Sequence, residues 1–330
     1  MTWDTTNVRR ILERTLPAHL GRPCVVTNLR HKPYVYSTSF ALEELDVHLD
    51  DGTELCLILK DLSPSGLLEG ARASKPSFLY EPRREIVTYR DLLSSVQMST
   101  PTYYGSRSGP IDPWLLIEKV QGRELYQVGD IAAWQQAARY LAGMHSCVRL
   151  DPEAARRVNP YLLRYDAAFY RGWFDRASRF MDAASRRRAV PHLTIALEFA
   201  LQRLSEMPTA FIHGEFYASN VLVDGDSAGL RVCPVDWEMA GIGPGLLDLA
   251  ALCTGWDEKN RLTLARSYRE VCQRGLSWTP DEEELVLLLE CCQLCQAIQW
   301  LGWAPHWVAP PEHAQDWLGH ATNLADRLVT

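Results

Sequence analysis

The sequence predicts an α+β fold with a small β-rich N-terminal lobe and a larger, mostly helical C-terminal lobe. Strand-like apolar runs cluster in the first third of the chain, and apolar residues at helical spacing dominate the remainder. A short polar joint, Glu118–Gly122, separates the two regions, and a length of 330 residues suits about two lobes. We therefore expect lobes at residues 1–118 and 119–330.

The N-terminal lobe is predicted to begin with an amphipathic helix and to continue as a sheet. Apolar residues recur at helical spacing up to Leu16, and Asp51-Gly52 indicates a hairpin turn between two strands. A further helix is expected to start at Pro82, a residue favoured at the first helical position. The predicted strands are Cys24–Leu29, Phe40–Leu49, Glu54–Leu59 and Trp114–Ile117.

The C-terminal lobe is predicted to be helical apart from a compact β-type insert, residues 211–235. A cleft between two lobes is a common place for ligands to bind. The helices are expected at Ile131–Cys147, Tyr161–Met181, Ile195–Leu204, Leu246–Thr254, Asn260–Cys272 and Asp281–Gly302, and over the last fifteen residues.

Composition excludes several classes of protein. With 41 acidic and 34 basic side chains the net charge is −7, which argues against a nucleic-acid or anionic-membrane partner. No run approaches the roughly 18 apolar residues of a membrane span, and the first residues lack a secretory signal core. We expect a soluble cytoplasmic protein, a monomer or homodimer, whose nine cysteines are reduced.

Cysteine and tryptophan residues in the C-terminal lobe have two interpretations each. Cys291, Cys292 and Cys295 lie on a predicted helix, whereas zinc sites usually place their first ligands around a turn, so buried free thiols are favoured. The eleven tryptophans suit core packing, and one or two could instead line a binding pocket.

The β-type insert and the residue directly after it carry carboxylate and amide side chains that are expected to lie close together. Glu215 precedes Asn220 by five residues on a loop that leads into a strand, and Asp236 ends the following strand. A hairpin would bring Asn220 and Asp236 to one end of the sheet, where their oxygens suit Mg²⁺. Glu215 would lie beside them, able to orient or deprotonate a hydroxyl group. Such a set is what phosphoryl transfer requires.

The motifs His213-Gly214-Glu215 with Asn220, Asp236-Trp237-Glu238, and Gly243-Pro244-Gly245 with Asp248 occur in this order. As a set they resemble the aminoglycoside phosphotransferase and choline kinase family, which shares the protein-kinase-like bilobal fold. The resemblance extends from Val25 to roughly Cys253. It implies an ATP-dependent O-phosphotransferase that uses Mg²⁺, with GTP as an open alternative to ATP.

The resemblance assigns roles within a catalytic loop, 211–223, and a metal-binding loop, 235–245. Glu215 takes the position of the catalytic base, while Asn220 and Asp236 take the metal positions. Structural support of the catalytic loop falls to two further residues, His213, which bonds local backbone, and Asp248, which accepts backbone N–H groups.

Nucleotide contacts are implied for the N-terminal lobe. Lys60, at the end of a strand, matches the lysine that contacts the α- and β-phosphates, and its partner is Glu85, with Glu81 as second choice. Backbone groups of Glu118 and Val120 at the joint would pair with adenine. The loop that would cover the phosphates has no glycine, and its candidate donors are Ser37, Thr38 and Ser39.

One departure from the family keeps an alternative open. The family usually has Asp where this chain has Glu215, and a misplacement of about an ångström can cost roughly a hundredfold in rate. A nucleotide-binding regulatory module with impaired turnover is therefore the main alternative. A metal-dependent hydrolase is a third reading, although it leaves Lys60 and Glu85 without a role.

The acceptor is expected to be a small hydroxylated molecule: an aminoglycoside, another antibiotic or natural product, or a choline-like amino alcohol. Antibiotic resistance, biosynthesis and primary metabolism all remain open as roles. A cationic acceptor would require acidic residues on the C-terminal helices, and Asp257, Glu258 and Glu290 are the candidates.

Overall fold

The computed structural model describes residues 4–36, 39–109, 112–148, 156–225, 229–275, 280–303 and 315–329. Within these ranges the N-terminal lobe is a five-stranded antiparallel sheet in the order β1-β2-β3-β5-β4. The strands are β1 (Val26–Pro33), β2 (Leu42–Leu49), β3 (Glu54–Asp61), β4 (Tyr103–Arg107) and β5 (Trp114–Glu118). The helices of this lobe are α1 (Thr5–Leu20), α2 (Glu69–Ser74) and α3 (Pro82–Val87).

Helix α1 covers the outer face of this sheet. Asp4 caps its first turn by accepting from the Thr6 N–H, and the helix ends at Gly21, whose φ of 68° is readily adopted only by glycine. Its buried stripe, Val8, Leu12 and Leu16, packs in one hydrophobic cluster with the sheet. The inner face of the sheet is thereby left for the cleft.

Helix α3 lies on that inner side and carries the predicted partner of Lys60. Pro82 is its first residue and the Glu81 side chain caps it by accepting from the Arg83 N–H. Arg84 and Glu85 in this helix are both buried. The helix is therefore fixed at the cleft by charged as well as apolar side chains.

The C-terminal lobe contains two small sheets among its helices. Strands β10-β9-β6 form one sheet and β7-β11-β8 the other. The strands are β6 (Arg123–Glu124), β7 (Leu163–Arg164), β8 (Thr209–Ile212), β9 (Val221–Asp224), β10 (Arg231–Pro234) and β11 (Gly241–Pro244). The helices are α4 (Ile131–Cys147), α5 (Ala167–Phe180), α6 (Ala183–Ser205), α7 (Leu246–Leu252), α8 (Glu258–Gly275), α9 (Glu282–Gly302) and α10 (Trp317–Val329).

One hydrophobic core joins the inner side of the N-terminal lobe to the C-terminal helices, and α9 is part of it. Helix α9 is also the one helix in the described ranges that is long and apolar enough to cross a membrane, but 72% of that window is buried inside the structure. Cys291, Cys292 and Cys295 are buried free thiols on this helix. The residues described contain no group of three metal-binding side chains of the His, Cys, Asp and Glu types.

The predicted fold class is confirmed, with a β-rich N-terminal part and a helical C-terminal part. Two helix predictions are wrong. The helix expected from Tyr161 begins only at Ala167, because Leu163–Arg164 forms strand β7 against β11. The helix expected from Ile195 begins at Ala183, since Asp182 caps it and Pro191 is accommodated inside it. The division of the chain at Glu118 stays a prediction.

Candidate active site

The loop after β8 is held by a buried carboxylate on helix α7. Asp248 is fully buried, and its two oxygens accept from the His213 N–H at 2.7 Å and from the Gly214 N–H at 2.8 Å. On the other side, His213 Nε2 lies 2.9 Å from the carbonyl oxygen of Val235. These bonds fix the backbone immediately before Glu215 to both α7 and the end of β10.

Two buried residues that the sequence did not single out support Asp248. His145 on α4 places its Nε2 3.2 Å from Asp248 Oδ2, and its Nδ1 is 2.8 Å from the Tyr268 hydroxyl. Gly245 lets them approach, because a Cβ there would be 2.6 Å from His145 Nδ1 and 2.8 Å from the Tyr268 hydroxyl oxygen. A histidine near the end of a predicted helix was the only sequence signal available for this contact.

Gly214 is required by the tightness of the loop. Its φ is 86°, and a Cβ would lie 2.1 Å from the Tyr165 hydroxyl oxygen and 2.3 Å from the Met239 carbonyl oxygen. The Tyr165 hydroxyl itself donates to that carbonyl at 2.7 Å. The catalytic loop and the loop after β10 are therefore packed directly against each other.

The β9–β10 hairpin brings Asn220 and Asp236 to one end of the sheet. Pro234 pairs with Val221, and the Val235 N–H donates to the Asn220 carbonyl oxygen at 2.9 Å. Asp236 has φ 64° and is the only non-glycine residue with positive φ in the described part of the chain. Such a strained backbone is typical of functional positions.

The side chains at this end of the hairpin fit a hard divalent cation. Asn220 uses its Nδ2 to donate to the Glu215 carbonyl oxygen at 3.0 Å, which leaves Oδ1 as its ligating atom. Asp236 contributes a carboxylate on the adjacent loop. Amide and carboxylate oxygens are the protein ligands of Mg²⁺, which completes its shell with water and phosphate oxygens.

Lys60 joins the two lobes through buried ion pairs. Its Nζ lies 2.8 Å from Glu85 Oε2 on α3 and 2.6 Å from Asp236 Oδ1. Burial by itself lowers the pKa of Lys60, but the charges of Asp236 and Glu85 outweigh it, so that the net shift is upward and the ammonium group stays charged. Burial raises the pKa of Glu85 against the opposing effect of Lys60. The ammonium group of Lys60 is thus held between Asp236 and helix α3.

A second cation, which the sequence did not indicate, lies beside the first. Lys75, which follows α2, forms an ion pair with Glu238, and the Ser39 hydroxyl donates to Glu238 Oε1 at 3.1 Å. Burial opposes ionisation of Glu238, but Lys75 and Lys60 together hold its pKa at about 2. Ser37 and Thr38, the other predicted phosphate donors, lie outside the described residues.

The joint between the lobes is fixed by a bidentate ion pair. Glu118 binds the guanidinium of Arg231 on β10 at 2.7 and 3.1 Å, and its side chain also accepts from Thr102. The Glu118 N–H donates to the Thr102 carbonyl oxygen at 2.8 Å, so a nucleotide base would have to use the Glu118 carbonyl oxygen. Val120 follows in the loop after β5.

Two of the three acidic residues considered for a cationic acceptor have structural partners. Asp257 accepts from the Asn260 N–H at 2.8 Å near the start of α8, and Glu290 pairs with Arg327 at 2.6 Å. Glu258 is exposed in the first turn of α8, where helix dipoles favour a negative charge. None of the three contacts Glu215 through a hydrogen bond or ion pair in the described chain.

Glu215 is half-buried, and its pKa is raised to about 8 by burial first and then by the charges of Glu238 and Asp236. A carboxyl group with a higher pKa in the folded than in the unfolded state binds its proton more tightly when folded. Its contribution to stability is complete below the unfolded value of about 4.5 and is lost as the pH rises through about 8.

We therefore expect Glu215→Gln, which mimics the protonated carboxyl, to become more stable relative to the wild type as the pH rises from about 5 to about 9. Urea unfolding of both proteins without nucleotide or metal, at several pH values, measures the difference in free energy of unfolding. A difference that stays constant over this range would contradict the raised pKa of Glu215.

The fold and this site define a kinase-like phosphotransferase of small molecules. Residues 45–284, most of the chain, match the model of the phosphotransferase enzyme family. The chain therefore belongs to the phosphotransferase enzyme family and is an enzyme of that class. No curated protein matches the chain significantly.

Several solved structures share this fold. An ethanolamine kinase of Plasmodium vivax has a TM-score of 0.57 at 10% identity, covering 92% of this chain and 82% of that kinase. The GDP complex of aminoglycoside 2'-phosphotransferase-IIIa has a TM-score of 0.56 at 12% identity and covers 97% of each chain. A microcompartment-associated aminopropanol kinase has a TM-score of 0.55 at 15% identity, covering 98% of this chain and 94% of that one. At these identities the likeness shows the fold alone.

Proposed function

We propose that the chain is an ATP-dependent O-phosphotransferase that transfers the γ-phosphoryl group to a hydroxyl group of a small molecule. The observation that carries this proposal is the position of Lys60, whose ammonium group contacts both Glu85 and Asp236 next to the loop that bears Glu215. A metal-dependent hydrolase would leave a buried lysine held between these two carboxylates without a role, whereas a nucleotide-binding regulatory module would also use it and differs only in its lack of turnover.

Lys60 and Asp236 would bind the nucleotide in different ways, Lys60 directly and Asp236 through Mg²⁺. The ammonium group of Lys60 would contact the α- and β-phosphates as a point charge, while Glu85 keeps it directed into the cleft. Asn220 and Asp236 would hold Mg²⁺, which supplies charge neutralisation to the phosphates when bound. The Glu118 carbonyl and the Val120 N–H would pair with the adenine base.

Glu215 would act on the acceptor. Its carboxylate would accept a hydrogen bond from the acceptor hydroxyl and direct the oxygen towards the γ-phosphorus. It would take the proton as the new P–O bond forms, while the bond from the γ-phosphorus to the bridging oxygen breaks and ADP leaves. A pKa of about 8 in the free protein suits proton transfer near neutral pH. Asp248 and His213 keep the loop backbone in place, so that the carboxylate is oriented before the acceptor arrives.

The names of proteins that share the fold support a proposal for the acceptor class. Their names identify ethanolamine, aminopropanol and aminoglycoside acceptors, all of which are small hydroxylated amines. We propose an acceptor of this general kind and a cytoplasmic location for the enzyme.

We expect the purified protein to release ADP from ATP only when Mg²⁺ and a suitable hydroxylated acceptor are both present. A coupled assay across ethanolamine, aminopropanol, kanamycin and a macrolide measures this, with phosphorylation of the acceptor checked by mass spectrometry. Lys60→Met should lower kcat/KM by on the order of a hundredfold, because it removes a charge that contacts phosphate.

Lys32→Met is the matched control, since it removes a largely exposed lysine of the same lobe that pairs with Glu44. It should retain wild-type turnover. Nucleotide binding without turnover for every acceptor would favour a regulatory module. Hydrolysis of an acceptor without nucleotide would favour a hydrolase.

A further inference from the structure

Glu238 is held by the N-terminal lobe although it belongs to the loop after β10. Its carboxylate pairs with Lys75 Nζ and accepts from the Ser39 hydroxyl at 3.1 Å. The side chains of Lys75 and Glu238 are only 6% and 11% exposed. The pair therefore lies inside the interface between the lobes, where an ion pair is far less screened than at the surface.

The main chain of Glu238 is held as well. Arg84 on α3 donates from Nη1 to the Glu238 carbonyl oxygen at 2.7 Å and to the Leu79 carbonyl oxygen at 2.9 Å. Its Nε donates to the Tyr161 carbonyl oxygen at 2.8 Å, and the residue is 3% exposed. Side chain and backbone of Glu238 are thus both bound by N-terminal residues other than Lys60.

The charges around Glu238 explain why its ion pair with Lys75 affects the position of the loop after β10. Lys75 and Lys60 face it as cations, and the carboxyl group of Glu215 lies near enough to feel its charge. Without Lys75, the buried Glu238 carboxylate would lose the cation that it contacts directly, which is strongly unfavourable. Glu238 would then move, and the backbone of the loop that carries Asp236 would move with it.

We propose that Lys75 and Ser39 are positioning residues for phosphoryl transfer: by binding Glu238 from the N-terminal lobe, they fix the loop that carries Asp236 against the catalytic loop. This inference rests on the proposed function. In this proposal, Glu238 attaches the loop after β10 to the N-terminal lobe. Glu238 contacts neither phosphate nor the metal ion. We call this set of three residues, Ser39, Lys75 and Glu238, the lobe clasp.

Hydrogen exchange of the nucleotide-free protein tests the clasp without any turnover. The Ala240 N–H donates to the Trp237 carbonyl oxygen at 3.1 Å and reports on the loop after β10. The Leu68 N–H donates to the Ser39 carbonyl oxygen at 3.1 Å and reports on the N-terminal lobe. In Lys75→Met both should exchange on the order of tenfold faster. The Cys253 N–H at the end of α7 and the control Lys32→Met should remain as in the wild type.

Kinetics and a double variant test the function of the clasp. Lys75→Met should lower kcat by on the order of a hundredfold and raise the Kd for Mg-nucleotide by a smaller factor, because the loop that moves carries Asp236, one of the proposed Mg²⁺ ligands. Adding Glu238→Gln removes the buried charge and keeps an acceptor for Ser39. The double variant should therefore have a higher kcat than Lys75→Met alone, and its Ala240 and Leu68 amides should exchange more slowly.

Three results would overturn the clasp: unchanged exchange at Ala240 and Leu68 in Lys75→Met, additive effects in the double variant, or loss of Mg²⁺-dependent nucleotide binding in Glu238→Gln. The last would make Glu238 a metal contact. If Lys75→Met does not fold, Ser39→Ala removes one hydrogen bond and should raise exchange at the same two amides by a few-fold. If the wild type turns over no acceptor, the proposed function fails, whereas the exchange measurements still decide the clasp.

Discussion

Replacing Glu215 by glutamine is expected to lower kcat by about a thousandfold and to leave the Kd for Mg-nucleotide nearly unchanged. Glutamine keeps the size and the hydrogen-bonding reach of the side chain but cannot take the proton of the acceptor hydroxyl. The proposed nucleotide and metal contacts, Lys60, Asp236 and Asn220, are left in place by this change. Steady-state kinetics and calorimetric titration of the nucleotide measure the two quantities separately.

Two further variants control this experiment. Glu206→Gln changes an exposed glutamate at the end of α6 and should have wild-type kinetics. Glu215→Asp introduces the residue that the family usually has and shortens the side chain by one methylene group. Because the shorter side chain withdraws the carboxylate by about an ångström, and a misplacement on that scale costs roughly a hundredfold in rate, we expect a loss of that size. Full activity of Glu215→Gln would refute the assignment of the base, and a gain in Glu215→Asp would mark Glu215 as a handicap.

Replacing Asp248 by asparagine is expected to destabilise the protein by about 3 kcal/mol and to lower kcat by on the order of a hundredfold. The carboxylate accepts from two backbone N–H groups and contacts His145 without exposure to solvent. An amide presents an NH₂ group to one of these donors and leaves it unsatisfied. Urea unfolding and steady-state kinetics give the two effects.

Asp130→Asn is the matched control for this change. Asp130 also accepts from a backbone N–H, that of Ala132 at 2.9 Å, but at an exposed helix start where asparagine serves equally well. It should leave both stability and kcat as in the wild type. Equal effects of the two substitutions, or a stable Asp248→Asn enzyme with normal kcat, would show that the catalytic loop does not depend on Asp248.

Short-range patterns made a large part of the site predictable. The hairpin turn after β9 predicts that Asn220 and Asp236 lie together, and the structure has this hairpin with Val221 opposite Pro234. The resemblance to the family implies that Lys60 pairs with Glu85, and Lys60 Nζ lies 2.8 Å from Glu85 Oε2. The spacing of apolar residues and the residue types found in turns depend only on neighbouring positions, so they can be read directly from the sequence.

Contacts between distant segments were not predictable. Lys75 and Glu238 are 163 residues apart, and Arg84 reaches the carbonyl of Glu238 across 154 residues. Nothing adjacent to Lys75 distinguishes it from a solvated lysine after a short helix. The sequence likewise predicts helix for Leu163–Arg164, because these two residues form a strand only when β11 supplies their partners.

Local sequence patterns specify the α+β class and the order of Lys60, Glu85 and the two loops that carry Glu215 and Asp236, and this order indicates the family. Spacing, apolar period and turn residues act within a few positions along the chain. Which charges meet depends instead on tertiary packing: Lys60 pairs with Asp236, Lys75 with Glu238, and Arg231 with Glu118. A buried charge must find a partner wherever the packing of the two lobes places one, and that packing is a property of the whole core.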